Sequence, residues 1–318
     1  MTGARGGIVI STAARADAGR PLLRAGSRRR TRRDALTFVA FVAPNFLLLA
    51  VFTFWPVLYS LYLSFFKWNM IAKRKTFLGL DNYRAMLADP VFWLVLRNTA
   101  ALAAVTVVVT LAAALALAVL LNRRLPGRSF YRMIIFSPTF TTSVAVAYVW
   151  AWILDSNWGL LRVFLGWVGL ESPKWFTDVH WSLVAVMIVV VWSRLGYAMV
   201  IFLAGLAGIP VELYDAARVD GASPWQTFWR LTFPLLSPTT FFLVVTSIIN
   251  ALKIFDIVNI MTGGGPLNSS NVYVMYLYQN AFKWFRTGYA STLALVLFLL
   301  ILAITLVQMR LSKRWVHY

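Results

Sequence analysis

Cysteine is missing from the 318-residue chain, which excludes disulfides, thiolate metal sites and a cysteine nucleophile. Histidine is nearly missing: His180 and His317 are too few for a histidine metal cluster or a histidine proton relay. Charge is scarce, at 13% Asp, Glu, Lys and Arg, roughly half of what a soluble domain carries. No glycine is followed by lysine, so the chain lacks the G-x-x-x-x-G-K-[ST] loop with which a protein cradles ATP phosphates. An H-E-x-x-H pair, a G-x-S-x-G elbow and an acidic metal cluster are also wanting, which leaves a membrane-embedded enzyme without catalytic groups.

What abounds is apolar surface. Hydrophobic residues make up 60% of the chain, in stretches that reach the about 20 residues a helix needs to cross the hydrocarbon core. The expected fold is all-α and integral to the membrane, with six transmembrane helices at roughly 36–63, 94–121, 130–154, 181–206, 239–260 and 289–311. Pro44 and Pro56 should kink the first of these and Pro138 the third. Trp55, Tyr59 and Tyr62 fall where aromatic anchors meet the membrane–water interface. The second is almost pure Ala, Leu and Val, a density of small residues that suits close helix packing.

The net charge of +19 would suit a nucleic-acid partner, yet no basic stripe interleaved with stacking aromatics occurs. Membrane lipid is the partner that the pattern implies, and no nucleic acid is expected. Lys and Arg gather instead on alternate sides of the apolar stretches. Eighteen fall in the segments 1–35, 122–132, 207–238 and 310–318, against nine in the segments 64–92, 155–180 and 261–288. By the positive-inside rule both termini are expected on the cytoplasmic side of the membrane, which the resemblance described below implies is a bacterial or archaeal plasma membrane. Lys67, Lys73, Arg74, Lys75 and Arg84, all in the first outer loop, run against the trend. The expected organisation is a disordered basic cytoplasmic tail over 1–35, a transmembrane domain over 36–312 and a cytoplasmic C-terminus over 313–318. Arg32-Arg33 ahead of a hydrophobic segment imitates a twin-arginine export signal, but that segment is too long and no small-residue cleavage site follows.

Residues 207–238 interrupt the apolar pattern on the cytoplasmic side. Glu212 to Gly221 reads as a short helix ended by a glycine that tolerates the left-handed cap. Ser223-Pro224 then opens a second helix, from Trp225 to Leu231, that should stop before Pro234. Two short helices at a sharp corner, with Ala216 and Ala217 as a flat face between Asp215 and Asp220, suit a docking knob; the alternative is an amphipathic loop lying on the membrane.

The run Asp215-Ala216-Ala217, three residues, Gly221, nine residues, Leu231-Thr232-Phe233-Pro234 resembles the EAA loop of ABC-importer permeases, with Asp in place of the usual Glu, Leu231 of Ile and Phe233 of Leu. Gly79-Leu80-Asp81-Asn82-Tyr83, Asn98-Thr99, Ile209-Pro210, Val219-Asp220-Gly221-Ala222-Ser223, Phe255-Asp256 and Gly263-Gly264-Gly265-Pro266, in that order, are similar to the carbohydrate-uptake branch, including its glycerol-3-phosphate members. The resemblance covers about residues 37–312. It implies the six-helix, MetI-like permease fold and a coupling helix seated in a groove of an ATPase. Asp215, Ala216, Ala217, Asp220, Gly221 and Pro234 are the coupling residues it implies. It also implies a second, homologous permease subunit, an ABC ATPase dimer and an extracytoplasmic solute-binding protein. This chain would bind no cofactor; ATP and Mg would sit on the ATPase.

Polar side chains within the apolar stretches are the candidates for the substrate pathway, since lipid solvates them poorly. Asn250, Lys253 and Asp256 recur every third residue and should share one face of the fifth helix, unless Lys253 and Asp256 simply neutralise each other. Tyr148, Trp152 and Trp192 offer rings to the apolar faces of a sugar, or to lipid. Arg194, in mid-helix, either contacts substrate or pairs with an acid. A stand-alone secondary transporter is the alternative function; it would call for inverted repeats or several intramembrane carboxylates, and Asp256 is the main one.

Overall fold

The computed structural model describes residues Ala25–Arg123 and Leu125–Trp315, with side chains from Thr37 to Arg123 and from Leu125 to Ser312. Residues 1–24 of the expected tail, Arg124 of the basic turn and 316–318 of the expected C-terminal segment lie outside the described residues. The chain divides into two compact units at Val57–Leu58.

The first unit holds α1 (Ala25–Leu49) and a π-turn at Ala50–Phe54, after which α2 (Trp55–Ser64) runs on into the second unit. The helix begins at Ala25, ahead of residue 36, so the Arg28–Arg33 run expected to be disordered is helical. Arg and Ala are strong helix formers, and no Gly or Pro intervenes between Gly26 and Pro44. From Thr37 to Val57 every described side chain is exposed except half-buried Val42. Phe38, Phe41 and Phe52 on such a face need an apolar surrounding.

The second unit opens with an antiparallel pair, β1 (Phe66–Lys67) and β2 (Thr76–Phe77). The charge anomaly of this loop is partly answered here. The Lys75 ammonium lies 5.0 Å from the Tyr59 ring, 5.3 Å from Tyr62 and 4.7 Å from Trp68, and donates to the Tyr59 hydroxyl at 2.9 Å. In α3 (Asp81–Ala88), Asn82 donates to the carbonyls of Ser64 and Phe66, and the Tyr83 hydroxyl meets that of Ser64 at 2.8 Å. The Gly79–Tyr83 fragment is thus a structural pin.

Asp89 then caps α4 (Pro90–Asn122), accepting from the Val91 amide. There follow α5 (Arg128–Phe136), a 3₁₀ turn at Ser137–Phe140, α6 (Ser143–Ile153), α7 (Leu160–Trp167) and α8 (Trp181–Ala207). The 207–238 interruption forms α9 (Val211–Val219), α10 (Pro224–Thr227), a π-turn at Phe228–Thr232 and α11 (Phe233–Leu235). The chain ends in α12 (Ser237–Leu252), α13 (Asp256–Met261), α14 (Tyr273–Tyr278) and α15 (Thr287–Trp315).

Four stretches are long and apolar enough to span: Thr37–Ser64, Pro90–Asn122, Trp181–Ala207 and Thr287–Ser312. Two more are bent pairs, Arg128–Phe140 with Ser143–Ile153 at 106° and Pro224–Leu235 with Ser237–Leu252 at 63°. Counting each pair as one span gives the expected six.

Three expectations are corrected. The third helix is broken, not kinked: Pro138 lacks an amide donor, Thr141 and Thr142 are extended, and the Thr142 hydroxyl caps α6 by accepting from Ala145. The fifth helix ends at Leu252 instead of 260, because α13 turns to bury Ile257, Val258 and Met261 against α6 and α8. The segment after Trp225 does not stop before Pro234. The π-turn places the Phe233 amide on the Phe228 carbonyl, and the wider turn accommodates a proline at the next position. The same device precedes Pro56.

The core lies along α4 and α8. Buried Leu102, Ala103, Thr106, Val107, Thr110, Leu111, Ala114 and Ala118 form one stripe of α4 at three- and four-residue spacing, facing Ala185, Val189, Ala198 and Phe202 of α8. The small residues do let these helices close up. The loop expected around Gly263–Pro266 is exposed at Gly263 and Leu267, and the chain packs inward directly after it, where Ser270, Asn271, Val272 and Met275 are fully buried. Asn98 donates to the Asn268 and Asn271 carbonyls, and the Thr99 hydroxyl accepts from the Tyr273 amide. Asn98→Ala will therefore strand two buried carbonyls and cost about 1–3 kcal/mol, read as a lowered melting temperature of the purified protein.

Candidate functional site

The break in the third span makes a chamber. A cavity of about 520 Å³ is walled by Thr106 and Thr110 of α4, Thr139, Thr141, Thr142 and Ser143 at the break, Ser193, Arg194 and Tyr197 of α8, and Thr246, Ser247 and Asn250 of α12. Extended backbone at membrane depth is tolerated where it lines a polar cavity, and this break does so. The Thr106 hydroxyl donates to Leu102, Ser193 to Val190 and Thr246 to Phe242, each within its own helix. Their lone pairs remain to accept from a guest. Among the described residues, the side chains of Thr110, Thr141, Ser247, Asn250, Tyr197 and Arg194 have no hydrogen-bonding partner within the chain, so these groups offer donors as well.

Two of the seven pathway candidates, Arg194 and Asn250, meet in this chamber. Lys253 and Asp256 do not line it: both are exposed on opposite sides of the break after Leu252, so the shared helical face with Asn250 is lost. No ion pair joins them among the described residues. Tyr148 and Trp152 on α6 are exposed and also lie outside the lining, while Trp192 packs edge-on against Trp150 at 5.4 Å. The hydroxyl wall escaped attention in the sequence. Its signal was the run Thr139-Phe140-Thr141-Thr142-Ser143 in mid-span after a proline, with Thr106/Thr110 four apart.

The second site is the 207–238 corner. Gly221 has φ +74°, its amide meets the Arg218 carbonyl, and the Ala222 amide meets that of Ala217 at 2.9 Å. This is the glycine cap expected. Ser223 and Gln226 then form a reciprocal capping box on α10, with Pro224 at its first position. The Tyr214 hydroxyl reaches that of Thr232 at 3.3 Å and fixes the two arms. Asp215 pairs with Arg218 at 3.3 Å; Asp220 and Ala216 are exposed, whereas Ala217 and Pro234 are half-buried. Val219 is 88% exposed, an apolar side chain presented at the tip of a knob. Beside it Trp225 packs edge-on against Trp229 and Trp229 at a tilt against Phe233, with ring centroids 5.6 and 5.2 Å apart.

These features have counterparts in known proteins. The sequence pattern of a family described as binding-protein-dependent transport system inner membrane component matches residues 110–317. The probable ABC transporter permease protein YesP of Bacillus subtilis is 36% identical over 91% of this chain and 94% of its own length. The sulfoquinovosyl glycerol transport system permease protein SmoG of Agrobacterium fabrum is 34% identical over 88% of this chain and 91% of its own. Among solved structures, a chain of a bacterial alginate ABC transporter, in complex with its alginate pentasaccharide-bound periplasmic protein, superposes with a TM-score of 0.79. It shares 23% identity over 90% of this chain and 96% of the other, a likeness of fold.

Proposed function

The chain belongs to the family of binding-protein-dependent transport system inner membrane components and is a translocation-pathway subunit of an ABC importer; we propose that the cargo its chamber passes is a sugar or a related polyol. The observation that carries this reading is the hydroxyl wall at the break of the third span. Rows of Ser and Thr acceptors with free amide and phenol donors match a polyhydroxylated solute group for group. SmoG, named for a sugar-linked glycerol, is the relative that supports the choice.

The chamber is half of a pathway. Thr139, Thr141, Thr142, Arg194 and Asn250 are exposed at membrane depth, where only a second polar surface or water could satisfy them. A homologous permease subunit is the partner that would close it, and an external solute-binding protein would deliver cargo. The 207–238 corner is the seat for an ATPase dimer, with Ala216, Ala217 and Val219 entering its groove and Asp215, Asp220 at the rim. Gly221 and Pro234 set the angle of the two arms. ATP and Mg then belong to that partner, and the corner faces the cytoplasm together with both termini.

Reconstitution in liposomes tests the reading. ATP turnover should appear only when the chain is combined with its ATPase, sister permease and binding protein, and should rise with one loaded sugar. Uptake by this chain alone, driven by an ion gradient, would overturn it in favour of a secondary transporter.

A further inference from the structure

Among the described residues, the chamber contains a single charge. Arg194 is the central residue of α8, about 20 Å from either end at 1.5 Å per residue, and so stands at mid-membrane depth. Among the described residues it has neither an ion pair nor a hydrogen bond, and no Asp or Glu lines the chamber. Asp256, the acid that the sequence placed in the fifth span, lies beyond the break and outside the lining. The surroundings of the guanidinium are hydroxyls, one amide and one phenol, all neutral.

A neutral sugar would satisfy the hydroxyl wall and leave this cation desolvated without a counter-charge once the pathway closes. A solute that carries its own anion resolves both demands. The planar guanidinium presents paired donors to a carboxylate, sulfonate or phosphate, while the Ser and Thr rows take the hydroxyls. We infer that the chamber is built for an acidic sugar or polyol, a hydroxyl-rich body with one anionic group, and that Arg194 is the residue that pairs with the anion. The inference rests on the chamber being the pathway.

Equilibrium binding to the assembled transporter in nanodiscs, without binding protein, tests it. The labelled probes are D-glucuronate, 6-deoxy-6-sulfoglucose and sn-glycerol 3-phosphate, set against D-glucose and glycerol. At least one anionic probe should bind tenfold or more tighter than its neutral counterpart. Arg194→Gln should abolish that preference, and Arg194→Lys, which keeps the charge and loses the fork, should retain part of it. Equal binding of the neutral counterpart, unchanged by Arg194→Gln, would overturn the inference and leave the importer reading standing. So would binding of no probe by a complex whose ATP turnover still responds to its loaded binding protein. If Arg194→Gln prevents co-purification of the two permeases while Arg194→Lys does not, the cation pairs with a partner acid and the inference fails. Turnover that answers to no loaded binding protein would instead sink the reading beneath it.

Discussion

Gly196→Leu will deplete the folded protein, and even Gly196→Ala will lower its melting temperature. In an ordinary helix interior, Gly→Ala is worth about 1 kcal/mol in the opposite direction. At Gly196 a Cβ would overlap the Ile135 carbonyl oxygen and stand 2.7 Å from the Phe136 Cα, so it meets backbone on the far side and no side chain can swing away. Overpacking of this kind typically costs about 1–3 kcal/mol, more when backbone must move. The contact is where α8 passes the end of α5, immediately before the break that lines the chamber. Gly166, in α7, supplies the control: a Cβ there meets nothing within 4 Å, and Gly166→Ala should leave stability level or raise it. Thermal denaturation of the purified variants reads both. Equal melting temperatures for Gly196→Ala and the parent protein would show that the two segments separate freely.

Gly221→Val will leave the protein in the membrane and abolish ATP-driven uptake. The residue holds φ +74° with open space around its missing Cβ, so the penalty is conformational and not steric crowding by neighbours. A β-branched residue in that region costs about 1–2 kcal/mol, enough to unwind an exposed cap and too little to unfold six spans. On the function proposed above, the angle between α9 and α10 then drifts, and closure of a partner ATPase no longer moves the membrane helices. Gly221→Asn, which tolerates the left-handed region, should restore most of the coupling. The measurement is uptake per ATP hydrolysed by the full assembly in liposomes. Normal coupling with valine, or loss of membrane insertion with both variants, would reduce the glycine to a structural cap.

The elements most legible in the sequence were those whose causes are local. Membrane span positions follow from run length. The Gly221 cap and the Ser223–Pro224 start follow from chemistry confined to four or five residues, and the structure holds both where they were expected. Arg194 and Asn250, which line the chamber, stood out in the sequence because polar groups in apolar runs are conspicuous. Lys253 and Asp256 misled for the same reason: their three-residue spacing is a helical face only if the helix continues, and α13 turning onto α6 and α8 ends it. The fragments Asn98-Thr99 and Gly79–Tyr83 were recognisable as a pattern, yet their task, tying α4 to Asn268, Asn271 and Tyr273 and α3 to the end of α2, needs partners up to 174 residues away.

The sequence by itself determined that this is a six-span membrane protein with a two-helix corner, because hydrocarbon thickness and helix capping are read one segment at a time. Tertiary structure alone decided that a proline would open a chamber instead of a kink, that scattered hydroxyls on four helices would face one space, and that Arg194 would enter it without an acid. Those facts depend on which helix faces which, and that is set by packing of small residues across the α4–α8 seam, a relation between segments that no single segment records.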